Sequence, residues 1–260
     1  MLKRKYLGIP YMIFLFFFVI LPLFVILYYA LTDGTGHFTV MNFARFFTNA
    51  RALGTLFYSA VIAVLTTFFC LVIAYPTAYI LARGGLKRGA ALMIVIVMPM
   101  WINFTLRLTA LKEILSFIEG NLAFHPFLNT IIGMVYDFLP FMILPLYNSI
   151  EKMDGALLEA AQDLGAPART VFFRVMLPLS MPGIVSGVMM VFLPAMTNYV
   201  VLDMLYNSTY IMGSLIGSYF SAFNWNDGAM VSSVLLVLIG LLTWIGGQLG
   251  EEGSREGARL

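Results

Sequence analysis

One acidic side chain, Asp137, lies inside an apolar stretch, residues 120–150, that contains no other Asp, Glu, Lys or Arg. A carboxylate within the hydrocarbon layer of a membrane is costly, so such a residue is a candidate for function. Asp137 is about eight residues from the predicted outer end of its span, or roughly 12 Å by helical rise. Two roles are open: the carboxylate lines a path for a cation or proton, or it lies near the boundary and pairs with Arg107 or Lys112.

Residue types that metal sites and hydrolytic enzymes need are scarce. Cys70 is the only cysteine, and His37 and His125 are the only histidines, so an internal disulfide and a zinc site with the usual ligands are excluded. No Lys follows a Gly, which excludes the phosphate-binding loop G-x-x-x-x-G-K-[ST], and the G-x-S-x-G nucleophile motif is also missing. The sequence predicts no metal, no cofactor and no enzymatic activity, so ATP-driven work would need a partner subunit.

The composition is typical of a membrane protein. Of 260 residues, 61% are hydrophobic and 11% are charged, whereas soluble domains have about 45–50% apolar and 25% charged residues. A membrane-crossing helix needs about 20 mostly apolar residues. Besides 120–150, uncharged runs of about this length occupy 6–32, 52–82, 89–106, 175–202 and 228–250. We therefore predict an all-α integral membrane protein with about six transmembrane helices in a single domain, residues 1–260.

The net charge and the basic residues predict the surroundings of this domain. A formal charge of +2 gives no reason to expect a nucleic-acid partner, and the long apolar surfaces indicate contact with membrane lipid. With six crossings, one side of the membrane receives eleven Lys and Arg residues, and the other receives Arg45, Arg51, Arg107 and Lys112. Because basic residues accumulate on the cytoplasmic side, we expect both termini to be cytoplasmic. Residues 33–53, 107–129 and 203–228 are then outside.

The stretch after Lys3, Arg4 and Lys5 is predicted to be a retained first span. Its apolar part is longer than the ~7–15 residues of a signal-peptide core, and no small-x-small cleavage site follows before Asp33. In the fifth span, Gly183 and Gly187 form a small-xxx-small pair that allows close approach of another helix. That helix could belong to the same chain or to a second subunit.

A long inside segment, residues 151–178, joins the fourth span to the fifth and reads EKMDGALLEAAQDLGAPARTVFFRVMLP. Asp154 is placed to cap a helix that runs to Leu164, Gly165 suits the left-handed residue after it, and Pro167 prevents its continuation. We expect a second helix to begin there and to end near Pro178.

The first helix of this segment has two unlike faces. One face, predicted to pack, holds Leu157, Ala161 and Leu164; the other, predicted to be wetted or paired, holds Glu159, Gln162 and Asp163. Ala160 and Ala161 are small and permit close approach of another surface.

The run Glu159-Ala160-Ala161, followed after three residues by Gly165 and then by an apolar stretch ending Leu177-Pro178, resembles the E-A-A-x-x-x-G loop of permease subunits in bacterial ATP-binding-cassette importers. The flanking sequences LPFMILPLYNSIEKMDGALLEAAQDLGA and LPLSMPGIVSGVMMVFLPAM, and PMWINFTLRLTALKEIL near the third span, are similar to the first of the two permeases in the spermidine/putrescine group.

The resemblance implies a type I importer permease fold in the bacterial inner membrane. It also implies three partners: ATPase subunits, a second permease and a soluble solute-binding protein. Residues 151–178 would be the loop that docks on the ATPase, with Glu159 paired to a basic group there, Ala160 and Ala161 allowing close contact, and Gly165 letting the helix turn. The alternative is a solvated amphipathic loop that only joins two spans.

A polyamine path needs carboxylates and aromatic faces, for charge pairing and cation–π contact. The candidates are Asp137, Asp203 with the neighbouring Tyr199, and Trp101 with Asn103, which match the family's P-x-W region. The alternative for Trp101, which its residue type favours, is an ordinary aromatic at the lipid–water boundary. Two other functions remain open: an importer permease for another solute, such as a metal complex or an organophosphorus anion, and an ion-coupled secondary carrier that uses Asp137.

Overall fold

The computed structural model describes residues 8–85 and 88–257, with side chains up to residue 248. Over these residues the regular structure is helical, apart from one antiparallel bridge between Thr32 and Phe38. The α-helices within this range are α1 Ile9–Leu15, α2 Leu21–Ala30, α3 Met41–Thr48, α4 Ala50–Arg83, α5 Gly89–Val97, α6 Phe104–Glu119, α7 Pro126–Glu151, α8 Gly155–Asp163, α9 Ala168–Val171, α10 Leu177–Ala195, α11 Tyr199–Met204, α12 Met212–Ser221 and α13 Trp225–Gly257. The predicted all-α fold is confirmed. Lys3, Arg4, Lys5, Lys87 and Arg259, which entered the prediction of orientation, lie outside the described residues.

Five helices of the described residues are long and apolar enough to cross a membrane, and a bent pair of helices makes a sixth crossing if the pair is one span. The five are Ile9–Ala30, Ala50–Arg83, Pro126–Glu151, Ala168–Ala195 and Trp225–Gln248. In the bent pair, Gly89–Trp101 and Phe104–Glu119 meet at 97°. The number agrees with the six predicted spans when the bent pair is counted as one span. The third span does not end in a connector near residue 107, because a second helix, α6, begins directly after the bend.

Two five-residue π-helical segments, Phe16–Ile20 and Phe172–Met176, let helices continue through proline. A single residue separates each segment from a proline, which is Pro22 in the first case and Pro178 in the second. A proline ring crowds the carbonyl of the preceding turn, and a wider turn relieves that contact. The prediction that the helix after Pro167 ends near Pro178 is therefore wrong, because this helix runs on to Ala195.

The chain divides into two compact units, and the first comprises residues up to 57 together with 210–239. The side chains of two asparagines hold the loop after α2 by hydrogen bonds. The Nδ2 group of Asn42 donates to the carbonyl oxygens of Ala30 (3.1 Å) and Thr32 (2.9 Å). The Nδ2 group of Asn226 donates to the carbonyl oxygens of Tyr29 (3.0 Å) and Thr32 (2.7 Å). These bonds satisfy carbonyls that the end of a helix leaves unpaired.

The tip of the same loop is a turn built on Asp33. Its Oδ1 accepts hydrogen bonds from the hydroxyl of Thr35 at 2.6 Å and from the backbone N–H groups of Thr35 and His37, each at 2.9 Å. Hydrogen bonds to a carboxylate favour its charged form. The Thr35 hydroxyl bond, followed by the His37 N–H bond, accordingly holds the pKa of Asp33 below its usual value.

The second unit comprises residues 58–209 and 240 onward, and α7 is its central helix. Helix α10 packs on α7 through Gly183 and Gly187: a Cβ at Gly183 would lie 2.8 Å from the carbonyl oxygen of Pro145, and one at Gly187 would lie 2.6 Å from the sulfur of Met142. The small-residue pair therefore serves packing inside this chain. The hydroxyl of Tyr75, on α4, also hydrogen-bonds that of Ser180 at 3.0 Å.

Candidate functional site

The loop after α7 folds as the sequence predicts at both ends of its first helix. Asp154 caps α8, with its Oδ1 accepting from the backbone N–H of Ala156 at 3.0 Å. At the other end Gly165 has φ +79°, the left-handed conformation that glycine adopts without strain. The N–H of Gly165 donates to the carbonyl of Gln162 at 2.8 Å, and that of Ala166 to Ala161 at 3.1 Å. This hydrogen-bond pattern is a Schellman motif.

The two faces of α8 differ from the predicted pattern at one residue. Leu157, Leu158 and Ala161 are half-buried, whereas Glu159 and Ala160 are exposed. Leu164 is 88% exposed, so its assignment to the packing face is wrong. Leu164 is the C-cap residue that directly follows α8, and with ψ near 5° its backbone no longer continues the helix. The exposed surface of α8 therefore combines a carboxylate, a small residue and a large apolar side chain.

Arg83, the last residue of α4, ties the base of this loop to the membrane-spanning helices. Its Nε donates to the carbonyl oxygen of Ile150 at 3.2 Å, and its Nη2 donates to that of Met153. Ile150 lies in the last turn of α7, where carbonyls lack intrahelical partners, and Met153 lies two residues beyond the end of that helix. Arg83 is one of the eleven basic residues on the predicted cytoplasmic side, and its place at the end of an apolar helix is the sequence signal for this anchoring role.

Asp137 pairs with Arg107, one of the two basic partners that the sequence predicts for it. Its Oδ1 accepts a hydrogen bond from Nη2 of Arg107 at 2.7 Å, and both side chains are 9% exposed. The other cation considered, Lys112, lies over the ring of Tyr206, 4.5 Å from its centroid. The pair joins the first turn of α6 to the middle of α7. Among the described residues, Nε of Arg107 is a buried donor without a hydrogen-bond acceptor.

The helices around this ion pair pack closely. Gly133 lies one turn before Asp137 on α7, and a Cβ there would lie 2.9 Å from Cγ1 of Val201 and 2.5 Å from Cδ1 of Leu205. Leu108, next to Arg107, would be 3.6 Å from the same Cβ. Helix α11 and the residue after it therefore press against α7 where a side chain is absent.

The remaining path candidates lie at the bend and on α11. Asn103 caps α6, with its Oδ1 accepting from the N–H of Thr105 at 2.9 Å and of Leu106 at 3.4 Å. Trp101 ends the short 3-10 segment before the bend and is 79% exposed. Tyr199 and Asp203 are both on α11 and both exposed. The structure thus gives Asn103 a capping role and leaves three candidate side chains accessible.

The buried side-chain amide of Asn207, close to the end of α11, was not among the residues predicted from the sequence. The Nδ2 group of Asn207 donates to the hydroxyl of Tyr58 and to that of Thr130, both at 2.9 Å. Its Oδ1 accepts from the N–H of Thr209 at 3.1 Å. These bonds connect the segment after α11 to α4 and α7. The sequence carries no local signal for them, because the partners are far apart in the chain.

Relatives of known assignment are similar to this chain over most of its length. It is 38% identical over 253 residues to the spermidine/putrescine transport system permease protein PotB of Haemophilus influenzae, covering 89% of this chain and 88% of that protein. It is 36% identical over 221 residues to the protein of the same name from Escherichia coli, covering 79% and 80% respectively. No protein-family model matches the chain.

Solved structures show the same fold at low sequence identity. A chain of a bacterial alginate ABC transporter, in complex with an alginate pentasaccharide-bound periplasmic protein, matches with TM-score 0.75 at 14% identity, over 95% of this chain and 93% of the other. A chain of the MetNI methionine ABC transporter in an inward-facing conformation matches with TM-score 0.56 at 17% identity, over 77% and 95%. The fold is that of ABC transporter permeases, and by its sequence the chain belongs to the family of spermidine/putrescine transport system permease proteins PotB.

Proposed function

We propose that this chain is the transmembrane permease subunit of an ATP-driven importer for spermidine and putrescine in the bacterial inner membrane. The observation that carries the proposal is the 38% identity to a PotB protein over 89% of the chain. The five or six candidate crossings and the ABC-permease fold support a transport role. The chain itself hydrolyses no ATP, since it lacks the phosphate-binding loop.

The ATPase subunits dock on residues 151–178. The support is the exposed surface of α8, where the Glu159 carboxylate, the small Ala160 and the apolar Leu164 are all accessible. Glu159 pairs with a basic group of the ATPase, and the small residues Ala160 and Ala161 allow close approach. Leu157 holds α8 against its own chain, and Gly165 ends the helix. Because Arg83 anchors the base of the loop, a push on α8 is transmitted to α4 and α7.

Two further proteins complete the proposed assembly. A second permease encloses the solute path together with this chain, and a soluble binding protein delivers the polyamine on the outer side. Both termini are cytoplasmic. Trp101, Tyr199 and Asp203 contact the solute through an aromatic face or a carboxylate, and Asn103 and Asp137 support them from the bend and from α7.

Uptake of labelled putrescine and spermidine tests the cargo, in a strain without other polyamine routes that expresses the whole transporter. Saturable uptake that requires this chain and competes with unlabelled polyamine is expected. Uptake of only a metal complex or an organophosphorus anion would replace the polyamine assignment. Solute movement by the chain alone in vesicles, driven by an ion gradient without nucleotide, would show a secondary carrier instead.

Charge reversal at Glu159 tests the docking surface. Glu159→Lys is expected to abolish co-purification of the ATPase and to stop uptake, because a buried charge pair that loses one partner is strongly unfavourable. Glu113→Lys, at an exposed position of α6, is the control for an added positive charge. Intact assembly and uptake in Glu159→Lys would show that α8 is an ordinary connecting helix.

A further inference from the structure

The ion pair between Arg107 and Asp137 lies in the first turn after the bend between α5 and α6, and neither residue needs to touch the solute to affect its path. We propose that this pair is a positioning device: it fixes α6 on α7, and thereby fixes the bend that presents Trp101. The effect of this ion pair on transport rests on the proposed function, whereas its effect on the position of α6 does not.

Only the backbone dihedral angles of two residues set the angle of the bend. Before it, the 3-10 segment closes with a hydrogen bond from the N–H of Ile102 to the carbonyl of Pro99 at 3.1 Å. After it, the N–H of Arg107 donates to the carbonyl of Asn103 at 3.2 Å, which makes the first turn of α6 a closed unit. The direction of α6 is therefore set at Ile102 and Asn103. A contact that holds the first turn of α6 also holds one side of the bend.

Arg107 makes that contact from the first turn itself. Its guanidinium reaches Asp137 in the middle of α7 at 2.7 Å, in a place where both side chains are nine-tenths buried. A buried ion pair adds little net stability compared with apolar residues, but it can specify register.

The apolar contacts beside the pair are less specific. Around Gly133 they consist of the methyl ends of Leu108, Val201 and Leu205, which can shift by rotation about side-chain bonds. A charge pair in an apolar setting has a single favourable arrangement, since separation leaves two unpaired charges. The apolar surfaces thus bring α6 to α7, and the pair decides where along α7 it stops.

Direct binding of the solute cation by Asp137 fits the structure less well. The carboxylate already holds a cation, Arg107, and its side chain is 9% exposed. Trp101, by contrast, is 79% exposed on the other side of the bend. Arg107 and Asp137 are accordingly positioning residues that act through Trp101.

The test reads the surroundings of Trp101 by fluorescence. The chain has three tryptophans, so Trp225→Phe and Trp244→Phe leave Trp101 as the only reporter from this subunit; tryptophans of the partner subunits are replaced in the same way. Acrylamide quenching is measured on the assembled transporter in lipid nanodiscs without solute. The KM and maximal rate of spermidine uptake are measured separately, on cells that express the same variants. The variants are Asp137→Asn, Arg107→Gln and the reversed pair Arg107→Asp with Asp137→Arg, and Glu113→Gln is the exposed control on the same helix.

Both single variants are expected to change the quenching constant of Trp101 and to lower the maximal uptake rate roughly 10-fold or more, because one charge is left buried and unpaired. The reversed pair restores quenching and rate, and Glu113→Gln changes neither. Should the reversed pair not assemble, Arg107→Leu with Asp137→Leu takes its place. This apolar pair is expected to assemble but to leave Trp101 quenching altered, since register is lost.

Unchanged Trp101 quenching in Asp137→Asn, or native quenching in the Leu–Leu pair, would overturn the proposal. A reversed pair with native quenching and native maximal rate, but a KM for spermidine raised about 10-fold, would also overturn it and make Asp137 a solute ligand. The quenching is measured without solute. A wild-type transporter that takes up no polyamine would therefore count against the proposed function alone.

Discussion

Substitution of Gly183 by alanine is expected to force α10 away from α7. The new Cβ would lie 2.8 Å from the carbonyl oxygen of Pro145 and 2.5 Å from Cβ of Ser149, whereas ordinary contacts begin at 3.4 Å. Both atoms are fixed to the backbone of α7, so neither can move aside, and the two helices must separate by several tenths of an ångström. Overpacking of this kind costs about 1–3 kcal/mol. The better helix propensity of alanine offsets about 1 kcal/mol, which leaves a net loss of up to about 2 kcal/mol.

Two other glycines provide a graded comparison. A Cβ at Gly187 meets the sulfur of Met142 at 2.6 Å, and a flexible thioether can move, so Gly187→Ala is expected to cost less than Gly183→Ala. A Cβ at Gly240 on α13 meets nothing within 4 Å. Gly240→Ala is therefore expected to be neutral or slightly stabilising, by up to about 1 kcal/mol from propensity alone.

The assay is the melting temperature of the purified, assembled transporter in one detergent, followed by scanning fluorimetry, with uptake measured in parallel. The expected order of stability is Gly183→Ala lowest, then Gly187→Ala, then Gly240→Ala. Because α7 and α10 flank the loop at 151–178, Gly183→Ala should also lower uptake. Equal melting temperatures for Gly183→Ala and Gly240→Ala would refute the inference that these helices are in tight backbone contact.

Three further changes have defined outcomes. Asn103→Ala removes the cap of α6 and is expected to cost about 1 kcal/mol in the melting assay, while Asn103→Asp, which keeps the acceptor, should retain most of it. Gly165→Ala places a Cβ at φ +79° and is expected to cost about 1–2 kcal/mol and to weaken ATPase co-purification, with Gly165→Asn affected less. Asp33 is expected to titrate below its usual pKa in infrared or NMR titrations, because its hydrogen bonds, that from Thr35 foremost, stabilise the charged form. The support that this carboxylate gives its turn is thus present above the usual pKa and is lost as the pH falls through the lowered value; Thr35→Val should raise the pKa, and an unshifted pKa in the wild type would contradict this account.

The local features that the sequence predicts are those that depend on a few neighbouring residues. Asp154 caps α8 and Gly165 ends it, since caps and left-handed termini are set within one turn. The apolar runs predict the crossings for the same reason, because length and hydropathy alone decide whether a helix can span. The sequence predicts two possible basic partners for Asp137. Only the tertiary structure, which brings α6 and α7 together, shows that the partner is Arg107.

Two features escaped the sequence because stronger local signals pointed elsewhere. Pro178 is a usual stop signal, but the π-helical turn at Phe172–Met176 absorbs it and the helix continues. The hydropathy of α6 is lowered by four charged residues, Arg107, Lys112, Glu113 and Glu119, so the sequence predicts a connector for most of Phe104–Glu119. Arg107 is in fact compensated by Asp137, and a paired charge no longer forbids burial.

Helix α7 carries all three features on which the proposed mechanism depends. Asp137 fixes the bent crossing near its middle, Met142 and Pro145 receive the glycine face of α10 one to two turns further on, and the carbonyl of Ile150 at its end is held by Arg83. The interval from Asp137 to the end of the helix at Glu151 is about 21 Å by helical rise, which exceeds the reach of any single side-chain contact. A displacement of α8 by an ATPase can therefore reach the bend only as a movement of α7 itself. Variants at Arg83 and at Asp137 should then impair uptake by the same route, and a double variant should be little worse than the more severe of the two single variants.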